Sequence, residues 1–390
     1  MSSRSRFLPA PVVDWGILVA VLAALATGLV GLVVGRPSGA WVFVVHGVAG
    51  LALVPLLALK LARVAPRLRP DRLTPGRGLS VLLAVVALAA LGTGVAWVHG
   101  ATVPLSFWRL LNVHILFGLL LAPLAAWHLR TRWRSPGSVA RAGDRRAALR
   151  YLGVVLSGAL TWRLQNAANA VFGGPDRRFT GSREDGSGDG NEFPVTSWVA
   201  DDPDPVAVGA WTLSVGGLVE RPLELAYADL DSTDGAPADG GSDSNTAGVG
   251  SAADPGADPA GVGVVDGRGT TERATLDCTS GWYSVHDWGG VRVGDLLDAA
   301  GAADGAAWVQ FRSVTGYRWS LPLSAAREAL LATHVDGERL SHGHGAPLRL
   351  VAPGRRGFQW VKWVEAVEVR RRRELGELAA IFVSGFGGEE

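Results

Sequence analysis

Four stretches near the start of the chain are almost free of charge over a length that crosses a bilayer: approximately Trp15–Val34, Ala40–Leu59, Leu79–Val98 and Leu110–Leu129. A hydrocarbon core needs about 20 apolar residues in helical form to span it. A helix on the surface of a soluble domain would carry a polar face, and these runs carry none. The sequence therefore predicts an all-α transmembrane four-helix bundle over residues 1–135, with the lipid bilayer as its first partner.

The loops orient it. Lys60, Arg63, Arg67, Arg69, Arg72 and Arg77 follow the second run, and Arg130, Arg132, Arg134, Arg141, Arg145, Arg146 and Arg150 follow the fourth. The loops near 35–39 and 100–106 are nearly uncharged. Basic loops stay in the cytoplasm. The bundle also repeats itself: "HGVAGLALVPLLALK" from His46 aligns without gaps with "HILFGLLLAPLAAWH" from His114, matching Gly50 with Gly118 and Pro55 with Pro123. His46 and His114 then lie at equal depth, near the outer surface.

A histidine within a span is costly and points to function, and facing helices of a bundle can hold a haem between two imidazoles. His46 and His114 are the candidate ligands of a haem b; His99, at the outer end of the third helix, is an alternative ligand. The competing reading is a histidine hydrogen-bonded to a neighbouring helix. His128 sits deeper, but its repeat partner is Lys60, which argues against a second haem. The arrangement resembles small cytochrome b-type membrane subunits, which implies electrons drawn from quinol or another membrane donor.

Residues 136–172 form a basic loop and a fifth, short apolar segment, Tyr151–Trp162. With Arg145 and Arg146 before it and Ala168–Ala170 after it, this reads either as an internal twin-arginine export signal or as a short fifth helix. Both readings put the chain beyond about residue 172 outside the cytoplasm. Residues 173–190 read as linker, 191–372 as an α+β domain, and 373–390 as a tail. Within the domain, 231–270 is rich in Gly, Asp, Ala and Ser and is expected to be a disordered surface insertion. A net charge of +1 gives no electrostatic case for nucleic acid.

The exported half holds the chain's single cysteine, Cys278, in "LDCTSGWYSVHDWGG". One cysteine excludes an internal disulfide and an all-cysteine zinc site. It leaves a buried small hydrophobe, a nucleophile or a lone metal ligand. β-type runs surround it, "LSAAREALLATHVDGERL" reads as a helix and turn, and "APLRLVAPG" and "WVKWVEAVEV" read as closing strands.

These segments, with "ALLATHVDGERLSHGHGAPLRLVAPGRRGFQW", closely resemble the sulfite oxidase-type molybdopterin fold, nearest in pattern to the catalytic subunits of periplasmic methionine-sulfoxide reductases. The resemblance covers roughly residues 190–370 and implies a Mo-molybdopterin cofactor with Cys278 as the protein ligand to the metal. It implies cofactor contacts at Asn191, Pro194, Val195, Ser313, His344, Arg349, Trp360, Val361 and Lys362. His344 stands where the family has Asn, and Trp360 and Val361 where it has Ser and Ile.

Sulfite oxidases follow the ligand cysteine with an arginine-rich loop. Here no arginine precedes Arg292, although Arg318, Arg355 or Arg356 can fold inward. A neutral small-molecule substrate, a sulfoxide or N-oxide, therefore fits better than a dianion, and the implied reaction is two-electron oxo transfer. His286 is a candidate proton donor; its structural alternative is pairing with Asp287. A sulfite-oxidising enzyme with a purely anchoring membrane half, or a binding module without catalysis, are the alternatives.

Overall fold

The computed structural model describes residues 8–67, 75–102, 109–132, 145–172, 174–196, 201–231 and 269–377. The expected insertion therefore lies, apart from its ends, outside the described residues, as does the tail beyond 377. Contacts divide the chain into two compact units. The first runs to Asp185 and takes in Asp277–Tyr283 and Gly354–Gly357; the second holds Gly186–Leu276, Ser284–Pro353 and the remainder from Phe358.

Helices α1 (Ala10–Val33), α2 (Ala40–Val64), α3 (Pro75–Val98), α4 (Leu110–Arg132) and α5 (Arg145–Val171) build most of the first unit. Helix α1 packs on α2, α3 on α4, and α5 on α2. Among the described residues, four helices are long and apolar enough to cross a membrane, spanning Ala10–Val33, Pro37–Val64, Gly78–Val98 and Leu110–Thr131. Large apolar side chains such as Val19, Leu22, Leu29, Leu82, Val85 and Leu119 point outward, which water would penalise and lipid would not. Lys60 pairs with Asp14 at 2.7 Å, so the position that matches His128 in the repeat is occupied by an ion pair.

Two expectations change here. The fifth helix is not short: α5 runs for 27 residues, because the polar residues flanking its apolar centre, such as Arg150, Arg163 and Gln165, are good helix formers and extend it in both directions. Nor is the whole of 173–190 a linker. Thr180 and Ser182 are buried, and strand β1 (Arg183–Glu184) pairs in parallel with the start of β5 (Trp282–Arg292), Arg183 opposite Trp282.

In the second unit one sheet has the order β3 (Leu223–Ala226), β2 (Thr212–Gly217), β11 (Val364–Arg370), β6 (Trp308–Ser313), β7 (Arg318–Pro322). Its core side chains Leu213, Val215, Phe311, Leu321 and Val367 are at most 1% exposed. The other sheet joins the rest of β5 to β8 (Leu330–Val335) and β8 to β10 (Arg349–Val351), with β4 (Thr270–Asp277) beside β5 and β9 (Glu338–Arg339) beside β8. Short helices α6 (Tyr227–Leu230), α7 (Val293–Ala300) and α8 (Leu323–Arg327) complete the described elements.

The helix expected across Leu323–Leu340 stops at Arg327, and the apolar run behind it is strand β8. Leu330, Leu331 and Ala332 are fully buried; an unbroken apolar run fits a strand covered on both faces as readily as a helix. Asp336 and Gly337, both at positive φ (48° and 82°), form the two-residue turn into β9. The strand expected over "WVKWVEAVEV" begins only at Val364, leaving Trp360, Val361 and Lys362 in the preceding loop.

Candidate active site

The bundle brings His46 and His114 together. Their ring centroids are 5.9 Å apart, with planes at 86°. Each imidazole is held in the same way. His46 Nδ1 lies 2.9 Å from the Ala24 carbonyl and 3.2 Å from Thr27 Oγ1. His114 Nδ1 lies 2.9 Å from the Ala90 carbonyl and 3.5 Å from Thr93 Oγ1. A carbonyl accepts only from N–H, so Nδ1 carries the proton and Nε2 keeps its lone pair for a metal. Glycines make room: a Cβ on Gly28 would sit 3.3 Å from His46 Cε1, and one on Gly94 would sit 3.0 Å from His114 Cε1. The repeat thus extends to α1 and α3, where Ala24, Thr27 and Gly28 match Ala90, Thr93 and Gly94, a correspondence missed in the sequence because it is carried by small residues. His99 is exposed at the end of α3, apart from this pair.

Cys278 sits in a tight turn between β4 and β5 within the first unit. It is 7% exposed. Its N–H donates to the Trp282 carbonyl at 2.9 Å, and its carbonyl accepts from Gly281 N–H at 3.1 Å. The Ser280 N–H points at Sγ, 3.5 Å away. Asp277, next to it, is buried and accepts from Thr180 Oγ1 at 2.8 Å, Ser182 Oγ at 2.7 Å and Arg356 Nη1 at 2.7 Å; Arg178 Nε is 3.4 Å away. Arg356 Nη2 also donates to the Cys278 carbonyl at 3.1 Å. Arg356 therefore folds inward, as the sequence allowed. Asp277 and its partners escaped the sequence reading: they are brought together from segments far apart in the chain.

In the second unit, β5 carries His286, fully buried, with Nδ1 2.6 Å from Asp336 Oδ2. The expected pairing with Asp287 does not occur. Neighbouring residues on a strand point to opposite faces, and Asp287 instead meets Arg273 at 3.2 Å. Burial alone would raise the Asp336 pKa, but hydrogen bonds from His286 and from the Asp287 and Gly190 backbone N–H groups hold it below the usual carboxylate range. Phe193, Trp288, Trp360, His344 and Arg349 surround the His286 ring or each other: Phe193 lies 4.5 Å from His286 and 3.8 Å from His344, Trp288 lies 5.5 Å from His286, and Arg349 lies 5.6 Å over Trp288.

Other expected residues are distributed around this cluster. His344 uses both ring nitrogens, toward Ser341 Oγ and the Phe193 carbonyl, each at 2.8 Å. Its burial, opposed only by the Phe193 hydrogen bond, pushes its pKa down to about 4. Asn191 ties the Arg339 carbonyl and Ser341 N–H together. Ser313 ends β6 and accepts from Thr315 Oγ1 at 3.1 Å. Lys362 Nζ donates to the Gly343 carbonyl at 2.7 Å. Val361 is buried; Pro194 is half-buried and Val195 exposed.

Residues 264–377 match the family model described as the oxidoreductase molybdopterin binding domain. This region is a molybdopterin-binding oxidoreductase domain. Over 104 residues the chain is 32% identical to the uncharacterized oxidoreductase YuiH of Bacillus subtilis, covering 26% of this chain and 52% of that one. It is 36% identical over 108 residues to sulfite oxidase of Arabidopsis thaliana, covering 23% and 28%. It is 27% identical over 187 residues to the protein-methionine-sulfoxide reductase catalytic subunit MsrP of Xanthomonas axonopodis pv. citri, covering 43% and 47%. The chain thus spans about half, or less, of these relatives' lengths. Among solved structures, the sulfane dehydrogenase SoxCD from Paracoccus pantotrophus aligns with a TM-score of 0.33 at 22% identity, over 43% of this chain and 40% of that one.

The molybdopterin-binding domain has the chemistry such a group needs. His286 Nε2, Ser284 Oγ and Trp360 Nε1 are buried with no hydrogen-bond partner among the described residues. Orphaned polar atoms are costly and suit a polar ligand. Two guanidiniums, one carboxylate and one thiolate at the Cys278 turn sum to zero charge, so the turn is balanced when Cys278 is in its metal-ligating form.

Proposed function

We propose that this chain is a membrane-tethered molybdenum oxidoreductase that reduces a sulfoxide or N-oxide outside the cytoplasm, with electrons drawn from quinol through a haem b in the bundle. The observation that carries the reading is the Cys278 turn: a lone, nearly buried thiol, set in a charge-balanced network, inside a molybdopterin-binding domain. Cys278 would hold the molybdenum, and Arg349, Ser313, Lys362 and Trp360 would bind the pterin and its phosphate. Asn191, Pro194, Val195, Val361 and His344 would shape the wall of that site.

When bound, the group supplies two-electron oxygen-atom transfer. The protein's part is to exclude water with the Trp288, Trp360 and Phe193 rings and to deliver a proton. His286 fits that task because its Nδ1 is fixed by Asp336, leaving Nε2 to exchange the proton. The Arg178 and Arg356 guanidiniums beside the Cys278 turn both pair with Asp277, so their charge is already engaged there and not turned to a dianionic substrate. This favours a neutral substrate over sulfite.

His46 and His114, with ring centroids 5.9 Å apart, would hold the haem between them, and the haem would supply one-electron transfer. The basic loops support a cytoplasmic location for the inner ends of the helices. Arg145 and Arg146 support export of the C-terminal domain by the twin-arginine route.

The test is one membrane preparation assayed for molybdenum, pterin and haem, with turnover measured on a sulfoxide and on sulfite. The reading expects molybdenum and haem near one each per chain and faster turnover on the sulfoxide. Cys278→Ser should lose molybdenum-dependent turnover by more than a hundredfold while keeping the haem band. Faster turnover on sulfite would reverse the substrate assignment. Retained activity in Cys278→Ser would refute the ligand.

A further inference from the structure

Helix α3 closes on Trp97, and Trp97 touches the turn that carries Cys278. The Trp97 side chain is buried at 5% exposure, and its Nε1–H donates to the Gly181 carbonyl at 3.0 Å, which fixes the ring. A Cβ on Gly281 would lie 2.5 Å from Trp97 Cζ2 and 3.0 Å from Leu111 Cδ2. Only glycine fits there, and its φ of +94° demands glycine independently. Asn112 Nδ2 adds a long hydrogen bond to Ser280 Oγ, 3.4 Å. The Gly281 and Ser280 amides are the ones directed at the Cys278 carbonyl and sulfur.

In the other direction, Trp97 is one helical turn beyond Gly94, the residue against which the His114 ring rests. A continuous path of covalent bonds and close contacts therefore runs from His114 through Gly94, Trp97 and Gly281 to Cys278. Arg183 fastens its outer end: its guanidinium lies 4.0 Å from the Trp97 ring centroid and donates to the Trp97 carbonyl.

We propose that Trp97 is the positioning residue that couples the His46–His114 pair to the Cys278 turn, its ring being the contact through which electrons pass from the membrane to the molybdenum site. This role presupposes the haem in the bundle and the molybdenum on Cys278. The positive charge stacked on the ring opposes an indole radical cation, so the ring acts as a contact and not as a redox intermediate. The balance is simple. A quinol gives up two electrons and two protons and becomes the quinone; a sulfoxide takes two electrons and two protons, its S–O bond breaks, and sulfide and water leave.

The test uses the full-length holoenzyme in membranes with Trp97→Leu and Trp97→Phe. After reduction by quinol, re-oxidation of the b-type absorption band by dimethyl sulfoxide should slow at least tenfold in Trp97→Leu and less in Trp97→Phe. The ratio of quinol-driven to viologen-driven turnover should fall by the same factor. An unchanged re-oxidation rate overturns the role of Trp97 while leaving the proposed function intact. An equal fall in both turnovers overturns the coupling and leaves Trp97 as a prop for the turn. A wild-type protein without a b-type band overturns the proposed function itself. A second measurement needs no cofactor: with one cysteine in the chain, maleimide labelling of cofactor-free protein reports on this turn alone. Trp97→Ala should raise the labelling rate at least tenfold, and an unchanged rate overturns the contact.

Discussion

The helical region holds two half-buried histidines and the sheet region a fully buried one, and they hold them by different means. In the bundle, His46 and His114 each rest on a backbone carbonyl of the neighbouring helix, at 2.9 Å, with a threonine hydroxyl beside it. No charge is involved. In the sheet region, His286 rests on the Asp336 carboxylate at 2.6 Å. The difference follows from the surroundings. A carboxylate inside a bilayer carries a heavy desolvation cost, whereas a neutral carbonyl fixes the tautomer without one. Asp336, in the turn between β8 and β9, keeps 15% of its side chain exposed, and there a carboxylate is tolerable. The bundle imidazoles are thus fixed by neutral groups, and His286 by a carboxylate.

That comparison breaks most sharply with a swap of readouts. His114→Ala should abolish the b-type band completely and leave molybdenum content unchanged, while His286→Ala should keep the band and lose turnover by about a hundredfold or more, as for a general acid. Spectra and metal analysis on the same samples decide it. The next largest effect concerns buried charge. Arg356→Ala removes one partner of the buried pair with Asp277; it should lower stability by about 3–5 kcal/mol, read by thermal unfolding in detergent.

His344 sharpens the contrast in the pH direction. Its folded-state pKa is about 4 against an ordinary 6.5. As pH falls, the unfolded chain takes up the proton first. The contribution to stability is therefore complete above about pH 6.5 and is lost as pH drops toward 4, a change of roughly 3 kcal/mol. His344→Gln should flatten that acid limb of the stability curve. Asp336→Asn keeps a hydrogen-bond acceptor for His286 but removes its charge. Turnover should fall about tenfold, with molybdenum and haem content unchanged, since a charge-assisted bond becomes a neutral one. The smallest effect belongs to the bundle: Thr27→Val deletes a hydroxyl 3.2 Å from His46 Nδ1 but spares the carbonyl. A loss of about 1 kcal/mol and an intact b-type band are expected.

Much of this was readable from the chain. Four spans need only length and apolarity, and the His46–His114 repeat needs only alignment. Cys278 stood out because it is alone, and the motifs around it share register with the molybdopterin-binding pattern. Local errors arose where one composition serves two structures. Leu330–Val335 is apolar enough for a helix or a covered strand, and only its pairing with β5 and β10 made it a strand. The Asp336–Gly337 turn was the overlooked signal.

Hydropathy along the chain already marks the segments that avoid water, and the single cysteine marks the one thiol that could serve as a soft metal ligand. Tertiary structure alone decided the partners: Asp336 for His286, Asp277 with Thr180, Ser182 and Arg356, and Trp97 against Gly281. Hydropathy and backbone preference act between near neighbours, so one dimension records them. A hydrogen bond between residues 50 to 97 positions apart exists only once the whole chain has closed.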